Sequence, residues 1–145
     1  MKILVINGPN MNMLGLREPE IYGSVTYAGL VDMIREEGER LGVETGFYQS
    51  NHEGDLVDKI QEAYGTFDGI IINPAAYTHT SVAILDAVKS VGIPTVEVHV
   101  SDPDKRDEFR KISYVRQACI ATVKGKGLPG YIEALHILKE HIESK

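Results

Sequence analysis

The sequence holds a single cysteine, Cys119. No disulfide can form within the chain, and a cytoplasmic, reducing location is the expectation. No apolar run approaches the roughly 20 residues of a membrane-spanning helix, so no membrane partner is expected. Basic residues are outnumbered, 15 lysines and arginines against 21 aspartates and glutamates, for a net charge of −6. That balance argues against nucleic acid, which needs a basic face. No charged n-region, apolar h-region and cleavage site precede the first apolar run, so no secretory signal is expected. The histidines lack H-x-x-x-H spacing and the lone cysteine excludes C-x-x-C, so no metal is expected. Repeats, low-complexity tracts and linkers are absent. At 145 residues the expectation is one domain, residues 1–145, long enough to bury roughly 70% of its unfolded surface.

What is present is a regular alternation. An apolar run at Lys2–Ile6 reads as a strand covered on both faces. It ends in Asn7-Gly8-Pro9-Asn10, opening a long polar loop to Ser24 that carries Arg17 and Tyr22. Loops of that length in small domains are usually lids or binding loops. Thr26 caps a helix through Leu41 with an apolar stripe of Leu30, Met33, Ile34 and Leu41, and Gly42 ends it. A second strand is expected at Val43–Gln49, and a helix marked by Leu56, Val57, Ile60 and Ala63. A third strand, Gly69–Asn73, stops at Pro74. Then come a loop at Ala75–Thr80, a helix at Ser81–Val91 and a fourth strand at Thr95–Val100. A short charged helix from Asp102 to Arg110, an irregular Ser113–Gln117, a fifth strand at Ile120–Lys124, a turn at Gly125–Gly130 and a helix at Tyr131–Glu143 complete the chain. Alternating strands and helices imply right-handed βαβ units and a parallel sheet. The expected fold is α/β, a flavodoxin-like three-layer sandwich with a five-stranded parallel sheet in the order 2-1-3-4-5.

In such a sheet, ligands bind beyond the carboxyl ends of the strands. Four strand ends deliver polar residues there: Asn7 and Asn10; Gln49 to Glu53; Asn73 with Tyr77 to Thr80; and Glu97, His99 and Ser101. Each also has a plain structural reading. Tyr22 could anchor a surface loop, Arg17 could be solvated, and His99 could be a satisfied strand-end histidine. His79 could cap a helix, Asn73 could be turn chemistry, and Asp86 could lie on a solvated helix face. Glu97 stands in an apolar strand, where an ionised carboxylate needs a partner, and a nearby histidine or loop donor would serve. Gly125 to Gly130 matches G-x-G-x-x-G but leads into the final helix, without the βαβ context and downstream acid of a dinucleotide site, and reads as a tight turn.

Taken together, these residues resemble the signature of type II 3-dehydroquinate dehydratases. The matching blocks are Asn7 to Gly15, Arg17-Glu18-Pro19, Tyr22-Gly23, Gln49 to Gly54, Ile72-Asn73-Pro74, Tyr77 to Ser81, Val96 to His99, Arg106, Glu108-Phe109-Arg110, Ser113-Tyr114 and Gly125 to Tyr131. The resemblance runs nearly the whole chain in order. It implies dehydration of 3-dehydroquinate to 3-dehydroshikimate in the shikimate pathway or its catabolic counterpart, by anti elimination through an enolate, with no cofactor, metal or Schiff base. By the matched motifs Tyr22 would be the base, Arg17 its neighbour, and His99 the acid for the departing hydroxyl. Asn10 would help hold a water against the enolate oxygen, and Glu97 would orient a catalytic partner. Asn73, His79 and Arg110 would hold substrate hydroxyls, and Val100 and Ser101 the carboxylate. The family assembles as trimers within dodecamers, so a homododecamer, a tetramer of trimers, is implied, with Asp86 reaching a neighbour's site. Departures are few. Asp102 stands where the family more often has asparagine, followed by Pro103, and Met11 and Met13 replace the usual leucines.

The physics suits these roles. An ordinary phenol titrates near 10, so forming phenolate at neutral pH costs about 4 kcal/mol. A guanidinium about 4 Å away, at an effective dielectric near 20, returns up to about 4 kcal/mol. Imidazole is the side chain suited to proton exchange near neutrality. Rival readings on the same fold fare worse. A flavin carrier would want a phosphate-cradling Ser/Thr/Gly loop where Gly8-Pro9-Asn10 stands. A receiver module would want an acidic pair and a strand-end aspartate where Asn7 and Asn73 stand. A Schiff-base dehydratase would want a lysine inside an apolar strand. Arg17→Ala is expected to lower turnover far more than it weakens substrate binding; steady-state kinetics with unchanged turnover would remove Arg17 from the mechanism.

Overall fold

A computed structural model of the protein describes residues 1–16, 20 and 24–145. Five strands, β1 (Lys2–Asn7), β2 (Glu44–Gln49), β3 (Gly69–Asn73), β4 (Thr95–His99) and β5 (Ala121–Lys124), form one parallel sheet in the order β2-β1-β3-β4-β5. Among the described residues, four α-helices, α1 (Tyr27–Leu41), α2 (Glu53–Glu62), α3 (Val82–Val91) and α4 (Pro129–Glu143), cover it. The expected α/β sandwich and strand order are those observed.

Side chains alternate across a strand, so each strand feeds both layers. Ile3, Val5, Ile71, Val96, Val98 and Val123 pack with Leu30 and Ile34 of α1 and Tyr131, Leu135 and Leu138 of α4. Leu4, Ile6, Ile70 and Ile72 pack with Leu56 and Ile60 of α2 and Ile84 and Val88 of α3. Burial of β1 and β3 on both sides explains their unbroken apolar runs; β4 is equally buried but carries Glu97 and His99 on one face. The caps are local: Thr26 accepts from the Gly29 N–H at 3.1 Å and Ser81 from the Ile84 N–H at 2.9 Å.

Several boundaries differ from the sequence reading. β1 runs one residue further, to Asn7, because Asn7 pairs with both Gln49 and Asn73. β2 starts at Glu44, β4 ends at His99, β5 starts at Ala121, and α4 starts at Pro129, whose missing N–H is tolerated in a first helical turn. The single charged helix expected from Asp102 to Arg110 is instead two short 3-10 turns, Pro103–Lys105 and Glu108–Lys111. Asp102 caps the first by accepting from the Asp104 N–H at 3.0 Å. The expected irregular stretch holds a third turn, Val115–Ala118, and the loop after β3 a fourth, Ala75–His79. His79 therefore closes that turn, and Ser81 caps α3. The stretch Gly125–Gly130 is the expected turn, with Gly125 and Gly127 at positive φ.

At the sheet's switch point the chain leaving β1 lies directly on the end of β3. The Gly8 N–H donates to the Asn73 carbonyl at 2.7 Å, and a Cβ on Gly8 would overlap the Pro74 carbonyl. Gly8→Ala is therefore expected to cost about 1–3 kcal/mol through forced backbone movement. Gly54→Ala, in the exposed first turn of α2 with nothing within 4 Å of the added carbon, should be stabilising by up to about 1 kcal/mol. Denaturant unfolding of the two variants checks the contrast.

Candidate active site

One cavity at the carboxyl edge of the sheet collects most of the residues singled out in the sequence. Asn10, Asn73, His79, His99, Val100, Ser101 and Arg110 all line it, with Met11 and Arg106. They arrive from the ends of β1, β3 and β4 and from the turns that follow. Asn10 sits in the left-handed region, at φ 71°, and its N–H donates to Asn51 Oδ1 at 3.0 Å. Gln49 Nε2 reaches the Gly8 carbonyl at 3.1 Å and Asn51 Oδ1 at 3.2 Å, so the end of β2 braces the loop that carries Asn10. Asn73 Oδ1 accepts from the Ala75 N–H at 3.0 Å, closing a side-chain turn over Pro74, with Ala75 at φ 53°. Turn chemistry and cavity lining are thus both true of Asn73.

Glu97 stands behind the cavity wall and is fully enclosed. Its position two residues before His99 puts both side chains on one face of β4. His99 Nε2 lies 2.8 Å from Glu97 Oε2. A carboxylate can only accept, so Nε2 carries the proton and Nδ1 is the ring nitrogen left for a ligand. The same Oε2 accepts from Thr78 Oγ1 and, at 2.8 Å, from Ser113 Oγ. Oε1 accepts from Thr122 Oγ1 at 3.2 Å and Arg116 Nε at 3.4 Å. Thr122 is Glu97's register partner across β4 and β5, which accounts for its reach. Burial alone would raise the Glu97 carboxyl. The bonds from His99, Thr78 and Ser113 outweigh it and hold the group at about 2.

His79 is fixed differently. Its Nδ1 donates to the Ile112 carbonyl at 2.7 Å, leaving Nε2 as an acceptor. Burial pushes its pKa down, helped by the charges of His99 and Arg110 and opposed by the Ile112 bond, so the ring is neutral near pH 7. Arg110 is steadied by Asp107 Oδ2 at 3.1 Å from Nε. The cavity thus offers neutral donors and acceptors, two guanidinium groups and an imidazole backed by a fixed anion.

Asp86 does not join this cavity: it lies exposed on α3. Arg17 and Tyr22 fall outside the described residues. Asp102 does not line the cavity either; its carboxylate is taken up by the Asp104 N–H and by Lys124 at 3.8 Å. Met11, in place of leucine, lines the cavity with its sulfur 3.6 Å from Asn73 Nδ2. Among the described residues no cluster of three His, Cys, Asp or Glu side chains could hold a metal. Burial pushes the Cys119 thiol up to about 12, which leaves no thiolate near neutrality.

Sequence reasoning gave no role to Arg106, Thr78, Ser113, Arg116, Thr122 or Tyr131. A buried glutamate in an apolar strand signals that donors must surround it, but not which ones. Only the strand register points to Thr122.

Comparison with known proteins follows the same lines. A family model described as dehydroquinase class II matches residues 1–139. A 3-dehydroquinate dehydratase of Clostridium perfringens (strain SM101 / Type A) is 56% identical over 146 residues, covering 100% of both chains. The crystal structure of a type II dehydroquinase from Butyrivibrio crossotus DSM 2876 superposes with a TM-score of 0.94 at 54% identity, covering 96% of this chain and 97% of that one. A type II dehydroquinase from Propionibacterium acnes gives 0.90 at 37% identity, covering 95% and 96%.

Glu97 also links the site to stability. Its carboxyl is lowered from 4.5 to about 2 in the folded chain, so the unfolded chain binds more protons between those values and stability falls as pH drops through that window. The shift corresponds to about 3 kcal/mol, present above pH 4.5 and lost toward pH 2. Glu97→Gln should lose that stability at neutral pH and show a flatter acid limb. Urea unfolding across the acid range measures it, and an unchanged acid slope would contradict the assignment.

Proposed function

The chain belongs to the class II dehydroquinase family, and on that footing we propose that it is a hydro-lyase converting 3-dehydroquinate to 3-dehydroshikimate and water. Its place is the shikimate pathway, serving aromatic amino-acid biosynthesis. The reaction is an anti elimination. Tyr22, as phenolate beside the Arg17 guanidinium, takes a proton from the carbon next to the ketone, and the electron pair moves onto the ketone oxygen as an enolate. Asn10 holds a water against that oxygen, a preorganised donor where charge develops. The enolate then collapses, the carbon–hydroxyl bond breaks, and His99, entering this step as the imidazolium, gives its Nδ1 proton to the leaving oxygen and keeps the Nε2 proton hydrogen-bonded to Glu97, so that water departs and a conjugated enone remains. Glu97 keeps the imidazole oriented and stabilises its protonated form.

Asn73, His79 and Arg110 take the substrate hydroxyls. Val100 and Ser101 take the carboxylate through backbone and side-chain donors. Residues 1–145 act as one catalytic domain in a cytoplasmic homododecamer, a tetramer of trimers, in which Asp86 enters a neighbour's site. Its exposure on α3 supports that role. No metal or cofactor takes part, because the ketone itself acidifies the neighbouring carbon. The described lining of the cavity contains no lysine, which favours the enolate route over a Schiff base.

The observation that carries this reading is the His99 ring at the cavity wall, with Nε2 committed to a buried carboxylate and Nδ1 left for a ligand. Purified protein mixed with 3-dehydroquinate should develop conjugated-enone absorbance, and Tyr22→Phe should lower turnover about 100- to 10,000-fold. No absorbance from the wild-type protein would overturn the proposal. Covalent inactivation by borohydride with substrate would replace the enolate route with a Schiff base.

A further inference from the structure

Behind Asn73, on the face of the sheet covered by α1 and α4, runs a line of buried polar groups that the elimination does not use. Its direction is set at one end by a backbone amide. The Ala75 N–H can only donate, so Asn73 Oδ1 faces it and Nδ2 points the other way. Nδ2 donates to Tyr131 Oη at 2.8 Å. The phenol's own proton goes to Asn7 Oδ1 at 2.6 Å. Asn7 Nδ2 and Tyr27 Oη close the line; both atoms are buried, and the Asn7 amide acts on the Tyr27 phenol against the burial that raises it. Tyr131 has no solvent exposure, and burial pushes its phenol above the ordinary range, so it keeps the proton it donates.

Of these side chains only Asn73 reaches the cavity. Its Nδ2 has a second proton, which faces Met11 Sδ at 3.6 Å, a weak acceptor. A ligand hydroxyl could displace that contact at little cost. The amide can present this proton in one direction only while Ala75 and Tyr131 hold its two ends.

We propose that Tyr131 is a positioning residue for the substrate: its hydroxyl holds the Asn73 amide so that one N–H is presented, over the Met11 sulfur, to a substrate hydroxyl. This rests on the reading that the cavity takes 3-dehydroquinate. Without the Tyr131 hydroxyl the amide keeps its Ala75 bond and the weak Met11 contact, and swings about the former. Asn7 Oδ1 loses its donor as well.

The test is a double-mutant cycle with Tyr131→Phe and Asn73→Ala. Tyr131→Phe should lower kcat/KM about tenfold, mostly through KM, since an oriented hydrogen bond to substrate is lost in ground and transition states alike. In the Asn73→Ala background the same change should cost nothing further, whereas a merely structural tyrosine would cost the same in both backgrounds. Hydrogen exchange of the Asn73 side-chain amide, followed by NMR without substrate, should speed up at least about tenfold in Tyr131→Phe. If Tyr131→Phe does not fold, Asn7→Ala, which removes the acceptor that sets the phenol's direction, carries the same cycle and should show the same dependence on Asn73. Equal losses in both backgrounds, or unchanged kcat/KM, overturn the proposal. A wild-type protein inactive on 3-dehydroquinate sinks the functional reading instead, and the exchange measurement then decides on Tyr131 alone: unchanged protection rejects it.

Discussion

A carboxylate with no access to water governs the carboxyl edge of this sheet. Burying an ionised group is costly unless it is paired and hydrogen-bonded, and Glu97 is fully enclosed. Its partners come from four places: His99 on its own strand, Thr78 after β3, Ser113 and Arg116 between β4 and β5, and Thr122 on β5. Each segment must be where it is for the charge to be tolerated. The segment 103–118, with only short turns of its own, is held in part by this requirement. The Tyr114 N–H adds a bond to the Thr78 carbonyl at 2.8 Å, tying the same two loops through backbone.

The strand period of two divides the site between the layers. Asn7 and Asn73 lie on the face of α1 and α4 with Tyr131, while Glu97 and His99 lie on the face of α2 and α3 with Thr78 and Ser113. The cavity therefore has two independent supports. One is ionic and sets the proton chemistry of an imidazole; the other is neutral and sets the direction of an amide. Between β1 and β3 the two chains leaving the sheet touch backbone to backbone, and Gly8 has no room for a side chain against the Pro74 carbonyl.

Much of this was legible in the sequence, for reasons that can be named. β1 and β3 are buried on both faces and so read as unbroken apolar runs; Thr26 and Gly42 mark the ends of α1 by their own chemistry. Asn73, His79, His99 and Ser101 could be placed near one another because a parallel sheet gathers its carboxyl ends. The rest depends on tertiary contacts that leave no local trace. Residues 103–118 carry charge without helical periodicity and fold as separate turns. Arg116 and Ser113 are ordinary polar residues until Glu97 is beside them. Tyr131 reads only as the start of the last helix, and its hydroxyl acquires meaning when β1 and β3 bring two amides to it.

The contact between positions 7 and 131 closes a span of 124 residues. The loop-closure cost grows only slowly with such a span, but the contact cannot form before α4 is in place, and non-local contacts of this kind slow folding. During synthesis the first strand leaves the ribosome long before α4 does. Until α4 docks, the Asn7 and Asn73 amides lack the Tyr131 hydroxyl that joins them, so a nascent chain can pair β1 with β3 before its ligand-facing amide is held at both ends. Competence to recognise a small molecule would then be the final property the polypeptide acquires.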